Sequence, residues 1–337
     1  MTTKLNYKHL IGIWILLFLL AFPLFYFVLK FGNPLFGTND FFQYYNLYKD
    51  FDIAATDSPF NMRLISSFII YCMYKSGLHY NTATAFDVFS LDKAVYFNAV
   101  LFNYLCVITT STILFKIVYK IHNSYLWALI SGVLYLLGFG TLFYEIMPIT
   151  DALSVLLFTL AWQEYIQKNY KIFVWFIFLI FQREYIFLAF MLIAFCDYIK
   201  FKNNFFLHVL ISSISAFIIY YVLRKTLFYT PTYNHQTDFT YFIKMFTELR
   251  FSIWIYFKQT LLTMNLSLLY LFILAYKYYF KIPFNRYFLF LFMLLFIQIN
   301  IISFAAVFGN NTGRYFYILI PMFIIQIINE TKPLIKS

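Results

Sequence analysis

Long stretches of this chain carry no charged side chain. Leu10 to Leu29 is twenty residues without one, and a helix rising 1.5 Å per residue needs about 20 apolar residues to cross about 30 Å of hydrocarbon. The same reading places spans at Ala94–Tyr119, Tyr125–Tyr144, Thr150–Ile166, Phe205–Leu223, Ser252–Tyr276, Tyr287–Phe308 and Tyr315–Asn329. The first run is too long for a signal-peptide core and lacks a small-x-small cleavage site. It is expected to remain as a transmembrane helix with Lys4 and Lys8 on the cytoplasmic side.

Two stretches do not fit a plain crossing. Met62–Leu78 contains Arg63 and Lys75 and is expected to lie on the outer surface. Lys171–Cys196 carries Arg183 and Glu184 near its middle, so it is either one long crossing or two short arms meeting at a hinge. Loop charge decides. With two arms the chain makes ten membrane-embedded helices, both termini are cytoplasmic, and the inner side collects thirteen basic residues against three acidic ones, leaving twelve and eleven outside. That distribution obeys the positive-inside rule, whereas a single crossing would export the lysines of every later loop. Each arm of about 12 residues reaches only ~18 Å, so the hinge is expected in a water-accessible recess below the outer surface.

The composition excludes other classes. Hydrophobic residues make up 63% of the chain and charged residues 12%, which rules out disorder and an ordinary soluble domain. Cys72, Cys106 and Cys196 lie in unrelated apolar stretches, too few for a disulfide framework. The net charge of +11 comes from basic residues in ones and twos between apolar runs, a membrane-loop pattern rather than a nucleic-acid surface. No phosphate-binding glycine loop, dinucleotide signature or serine elbow is present, and none of the five histidines has a partner at ligand spacing. The expected architecture is all-α: a single integral membrane domain over residues 1–337, with outer segments at 30–93, holding small non-spanning helices, and at 224–250.

Most of the acids and five of the six arginines fall on the outer side, so any chemistry should face outward. Asp40 precedes an aromatic stretch that is expected to start a short helix; it is either a helix-start acid or a general base at the membrane surface. Arg63, after Pro59, either snorkels to lipid headgroups or grips phosphate. Asp151 opens a span and either caps it or points into the same outer cavity as Asp40. Asp50-Phe51-Asp52 spells a nucleotide-sugar metal site but lacks the strand such a site follows. Arg183-Glu184 is the strongest signal, because each ion within hydrocarbon costs about 2.5–3.5 kcal/mol on the insertion scale and usually serves a path or site. Adjacent helical residues point ~100° apart, so these two are expected to have separate partners. Arg314, in the turn Gly309-Asn310-Asn311-Thr312-Gly313-Arg314-Tyr315, is either a headgroup anchor or a phosphate fork.

Taken in order, Asp40, Pro59-Phe60-Asn61-Met62-Arg63, Asp151, Arg183-Glu184 and Gly313-Arg314-Tyr315 with Pro321 resemble the motif layout of the GT-C class of integral-membrane glycosyltransferases. The resemblance implies transfer of a sugar from a polyprenyl-phosphate donor to a glycan or lipid acceptor on the outer face, in cell-envelope polysaccharide or glycolipid assembly at a bacterial inner membrane. Asp40 would then deprotonate the acceptor hydroxyl. Arg63, Arg183 or Arg314 would neutralise the departing lipid phosphate, and Asp151 and Glu184 would orient sugar hydroxyls or the arginines. No organic cofactor is implied, and a divalent metal stays open. Partners would be the lipid-linked donor, the acceptor and membrane lipids. The competing readings are an O-antigen-type polymerase, a transporter or flippase with Arg183 and Glu184 lining the path, and a noncatalytic membrane subunit. No second copy of the Arg-Glu break is present, which weighs against the paired halves of many transporters.

Overall fold

The structure, a computed structural model, describes residues 6–31, 39–79, 91–230, 272–273, 275–282 and 317–336. Among them the chain is all-helical, without strands. The helices are α1 (Tyr7–Phe31), α2 (Asn39–Asp50), α3 (Leu64–Lys75), α4 (Lys93–His122), α5 (Tyr125–Leu136), α6 (Asp151–Ile166), α7 (Ile172–Ile180), α8 (Tyr185–Phe201), α9 (Asn204–Thr226) and α10 (Ile320–Lys336). A 3-10 turn at Phe60–Met62 and a π-helical turn at Thr141–Glu145 complete them. Among the described residues three helices, α1, α4 and α9, are long and apolar enough to cross a membrane. Of the other expected spans, Tyr287–Phe308 and nearly all of Ser252–Tyr276 lie outside the described residues, as does most of the outer segment 224–250.

The described residues fall into two compact units, the first drawn from residues 1–20, 108–143 and 243–337, the second from 21–107 and 144–242. In the second unit α6 to α9 follow one another as packed neighbours, α6 on α7, α7 on α9 and α8 on α9. The expected reversal near Arg183 is present. Phe176 and Phe190 would stand ~21 Å apart along a continuous helix, yet their rings are 5.1 Å apart, and Phe176 meets Phe187 edge-on at 5.5 Å. The arms are unequal, however. α7 has 9 residues and α8 has 17, because α8 continues past Cys196 through Asp197, whose carboxylate accepts a 2.6 Å hydrogen bond from the Tyr165 hydroxyl of α6.

No glycine or proline lies between Lys171 and Phe201, so local propensity does not break this helix. The break at residues 181–184 coincides with three consecutive polar side chains, Gln182, Arg183 and Glu184, of which Arg183 and Glu184 are held by ion-pair partners elsewhere in the fold. The next reversal is locally encoded. Lys202 takes the left-handed conformation at φ 52°, and the Asn203 side chain accepts from Phe205 N at 2.9 Å to cap α9.

In the first unit the expected straight span Tyr125–Tyr144 is broken. α5 ends at Leu136, and the chain passes Gly138 and Gly140 into the π-helical turn. The ring and hydroxyl of Tyr317 pack there, in the space where side chains at Gly140 and Gly138 would stand. Its hydroxyl lies 2.8 Å from Thr141 Oγ1. The last expected span also differs. Pro321 sits in the first turn of α10, where its missing N–H costs nothing, and the helix runs on to Lys336. There His122 Nε2 lies 2.7 Å from Asn329 Oδ1, Lys332 Nζ donates to the His122 carbonyl at 2.8 Å, and Lys277 pairs with Glu330 in a buried ion pair. With Tyr317 beside Gly138 at one end and Lys332 beside His122 at the other, α10 runs antiparallel to α5.

Candidate functional site

The second unit brings four charged side chains from three separated stretches to the turn between α7 and α8. Arg183 Nη2 lies 2.5 Å from Asp151 Oδ1, and Arg63 Nη2 donates to Glu184 Oε2 at 3.1 Å. Arg183 and Glu184 thus take different partners, as expected, although both stand in the turn rather than on a helix.

Each partner is positioned by its own element. Asp151 is the first residue of α6, and Thr150 holds the capping position without a side-chain cap bond. The turn ahead of it is pinned by Asn103 of α4, whose amide donates to the carbonyls of Met147 and of Ile149, the latter at 2.7 Å. Thr150 Oγ1 donates to the Tyr44 hydroxyl at 3.3 Å, tying α2 to the same turn. Arg63 follows the turn Phe60–Met62 and opens α3. That stretch, entered through a cis Ser58–Pro59 bond, rests on the chain beyond α9: Ser58 N donates to Thr230 Oγ1 at 2.7 Å and Asn61 Nδ2 to the Phe228 carbonyl at 3.4 Å.

The snorkelling reading of Arg63 is corrected by its burial: only 1% of the residue is exposed. Side-chain exposure is 2% for Arg63, 5% for Arg183 and 2% for Asp151, but 26% for Glu184. Glu184 is thus the most exposed of the four charges. Two cations and two carboxylates leave the set formally neutral, which is what a low-dielectric site tolerates. Burial disfavours the charge on Arg63, and the neighbouring Tyr220 and Glu184 more than offset it, holding its pKa above the ordinary arginine value. Arg63 Nε and Nη1 have no hydrogen-bond partner among the described residues.

Three further residues escaped the sequence reading. Tyr44 and Tyr220 both act electrostatically on Arg63, and Tyr220 on Glu184 as well; two tyrosines among 31 carry no sequence signal. Gln182, next to Arg183, is fully buried with neither amide atom bonded among the described residues. A polar residue closing the apolar run 172–181 was the signal that could have found it.

The remaining candidates stand as follows. Asp40 is the second residue of α2, one turn before Tyr44 and so on the same helix face; its side chain lies outside what is described. Arg314 and Gly313 lie outside the described residues. Asp52 closes a turn by accepting from Ala54 N and Ala55 N, both at 3.0 Å, and Asp50 lies 3.5 Å from Lys75. Among the described residues no three His, Cys, Asp or Glu side chains are grouped to hold a metal ion.

The arrangement can bind an anion at the paired arginines and exclude water from it, with carboxylates at hand to orient hydroxyl groups. No family model, curated protein or solved structure matches this chain.

Proposed function

We propose that this chain is an integral-membrane glycosyltransferase that moves a sugar from a polyprenyl-phosphate donor to an acceptor on the outer face of the membrane. The observation that carries the reading is the buried, neutral set Arg63–Glu184 and Arg183–Asp151 at the reversal between α7 and α8. Ion pairs of this kind cost desolvation energy that apolar packing would avoid, and within a membrane protein they mark sites and pathways.

In this reading the chain crosses the membrane with both termini inside and the α7–α8 turn in an outer recess. The association of His122, Lys277, Glu330 and Lys332 at one end of the first unit supports that orientation, since all four belong to stretches assigned to the cytoplasmic side. Asp40 takes the proton from the acceptor hydroxyl, the freed oxygen attacks the anomeric carbon, and the phosphate oxygen leaves with the bonding electrons. Arg63, Arg183 and Arg314 stabilise that charge; Asp151 and Glu184 hold the arginines and orient sugar hydroxyls.

Sugar transfer from polyprenyl-phosphate donors in proteoliposomes tests the assignment. Wild type should transfer, and Asp40→Asn and Arg314→Ala should each lose most activity while eluting as folded protein. Undiminished turnover by Asp40→Asn removes the proposed base. Donor movement across the bilayer without any glycosidic product favours a flippase instead.

A further inference from the structure

We infer that Glu184 is an exchangeable counter-ion, occupying Arg63 until a phosphate-bearing ligand takes its place. The inference rests on the reading of this site as one that receives a lipid-linked phosphate, and it specifies how the anion enters.

The two carboxylates of the site are not equivalent. Asp151 is 2% exposed and lies at the start of α6, in a turn fixed by Asn103 and Tyr44. Glu184 is 26% exposed and takes the capping position ahead of α8, with Tyr220 of α9 as its neighbour besides Arg63. An anion approaching from water therefore meets the Glu184 carboxylate before it meets Arg63. Like charges repel, and the four ions already sum to zero, so a phosphate added beside both carboxylates would leave a buried site with net negative charge. Removing one carboxylate to solvent restores the balance, and Glu184 is the one with a route out.

Arg63 is built to accept the replacement. Its Nε and Nη1 have no partner among the described residues while Nη2 holds Glu184, so a tetrahedral oxyanion can use donors that a single carboxylate oxygen leaves idle. Asp151 keeps Arg183 oriented throughout. The exchange breaks no covalent bond: one charge-assisted hydrogen bond to Glu184 is replaced by two or more to phosphate, and the released carboxylate is hydrated.

Binding rather than turnover tests this, so a protein inactive in sugar transfer still gives an answer. Purified full-length protein in detergent micelles is titrated with farnesyl phosphate, inorganic phosphate and, as the uncharged control, farnesol. Removing the competing charge with Glu184→Gln should lower the dissociation constant for farnesyl phosphate by at least about fivefold, as expected for a contact worth a modest ion pair. Glu184→Asp, which keeps the charge but shortens its reach to Arg63, should give an intermediate gain and guards against misfolding of the glutamine variant. Arg63→Gln should abolish the gain. Tightening for both phosphates identifies the anion alone as the ligand, and tightening for farnesyl phosphate only identifies a lipid headgroup. Weaker or unchanged phosphate binding in both Glu184 variants, or equal tightening for farnesol, overturns the inference.

Discussion

Arg63 and Glu184 lie 121 positions apart in the chain, yet the guanidinium of the one donates to the carboxylate of the other at 3.1 Å in a site where the arginine is almost wholly buried. Neither residue is explained by its own helix. Arg63 precedes α3, Glu184 precedes α8, and both stand where a helix has yet to begin. The pair stands at the entry to two helices and leaves the arginine with two nitrogens unpartnered among the described residues.

Breaking this pair from one side should cost more than removing it. Arg63→Met or Glu184→Leu alone leaves a buried charge without its partner, a loss of about 3–5 kcal/mol, whereas replacing both by apolar residues is often near neutral. The partial exposure of Glu184 places Arg63→Met, which leaves that carboxylate without its partner, at or below the low end of that range. Thermal unfolding in detergent of the two single variants and the double variant measures the coupling; strictly additive losses would show that the two side chains act independently.

Alkaline pH should loosen the joint between α3 and α4. Tyr74 donates to Asp92 Oδ2 at 2.7 Å, and that bond, aided by burial, pushes the phenol up to about 12 from its ordinary 10. The folded value lies above the unfolded one, so the contribution is complete below pH 10 and is lost as the pH rises from 10 to 12. Tyr74→Phe should remove that pH dependence and delete one late-titrating tyrosinate from the 295 nm absorbance curve. An unchanged curve contradicts the assignment.

The glycines beside Tyr317 should not tolerate a methyl group. A side chain at Gly140 overlaps the Tyr317 ring, and one at Gly138 overlaps its hydroxyl. Gly140→Ala should therefore destabilise by about 1–3 kcal/mol, the usual range for overpacking. Tyr317→Phe should recover part of the loss caused by Gly138→Ala but little of that caused by Gly140→Ala, because it clears only the hydroxyl. Equal rescue of both variants on thermal unfolding would place the clash elsewhere.

The carboxyl terminus should be cytoplasmic. A reporter active only inside the cell, fused after Ser337, should give signal, and a reporter active only outside should be silent. The reverse pattern refutes the reading of residues 171–196 as two membrane-embedded arms, together with the orientation of every later span.

Apolar periodicity made the helical class and several helix positions legible, including the reversal near Arg183, because charge inside an apolar run has few places to go. Helical geometry led to the expectation of separate partners for Arg183 and Glu184, and they have them, although both stand in the turn between α7 and α8 rather than in a helix. Which partners they have was not legible, since Asp151 and Arg63 reach them only through the packing of α6, α7, α8 and α9. Burial of Arg63 depends on the same packing, so a surface helix looked equally reasonable from the sequence. Tyr220 and Tyr44 were hidden by the abundance of tyrosine. The break after Leu136 is accompanied by a residue 180 positions from Leu137, Tyr317, filling space left by two glycines, a contact that the local sequence does not announce.

Whether the buried charges work or merely hold the turn is decided by sugar transfer in proteoliposomes carrying the double variant Asp151→Leu/Arg183→Met. This replacement removes both charges at once, so the fold should survive while the anion loses a cation. A folded protein with transfer reduced by at least about a hundredfold, the scale of one lost charge-stabilising donor, is the expected result. A folded double variant that transfers sugar at the wild-type rate would contradict the account.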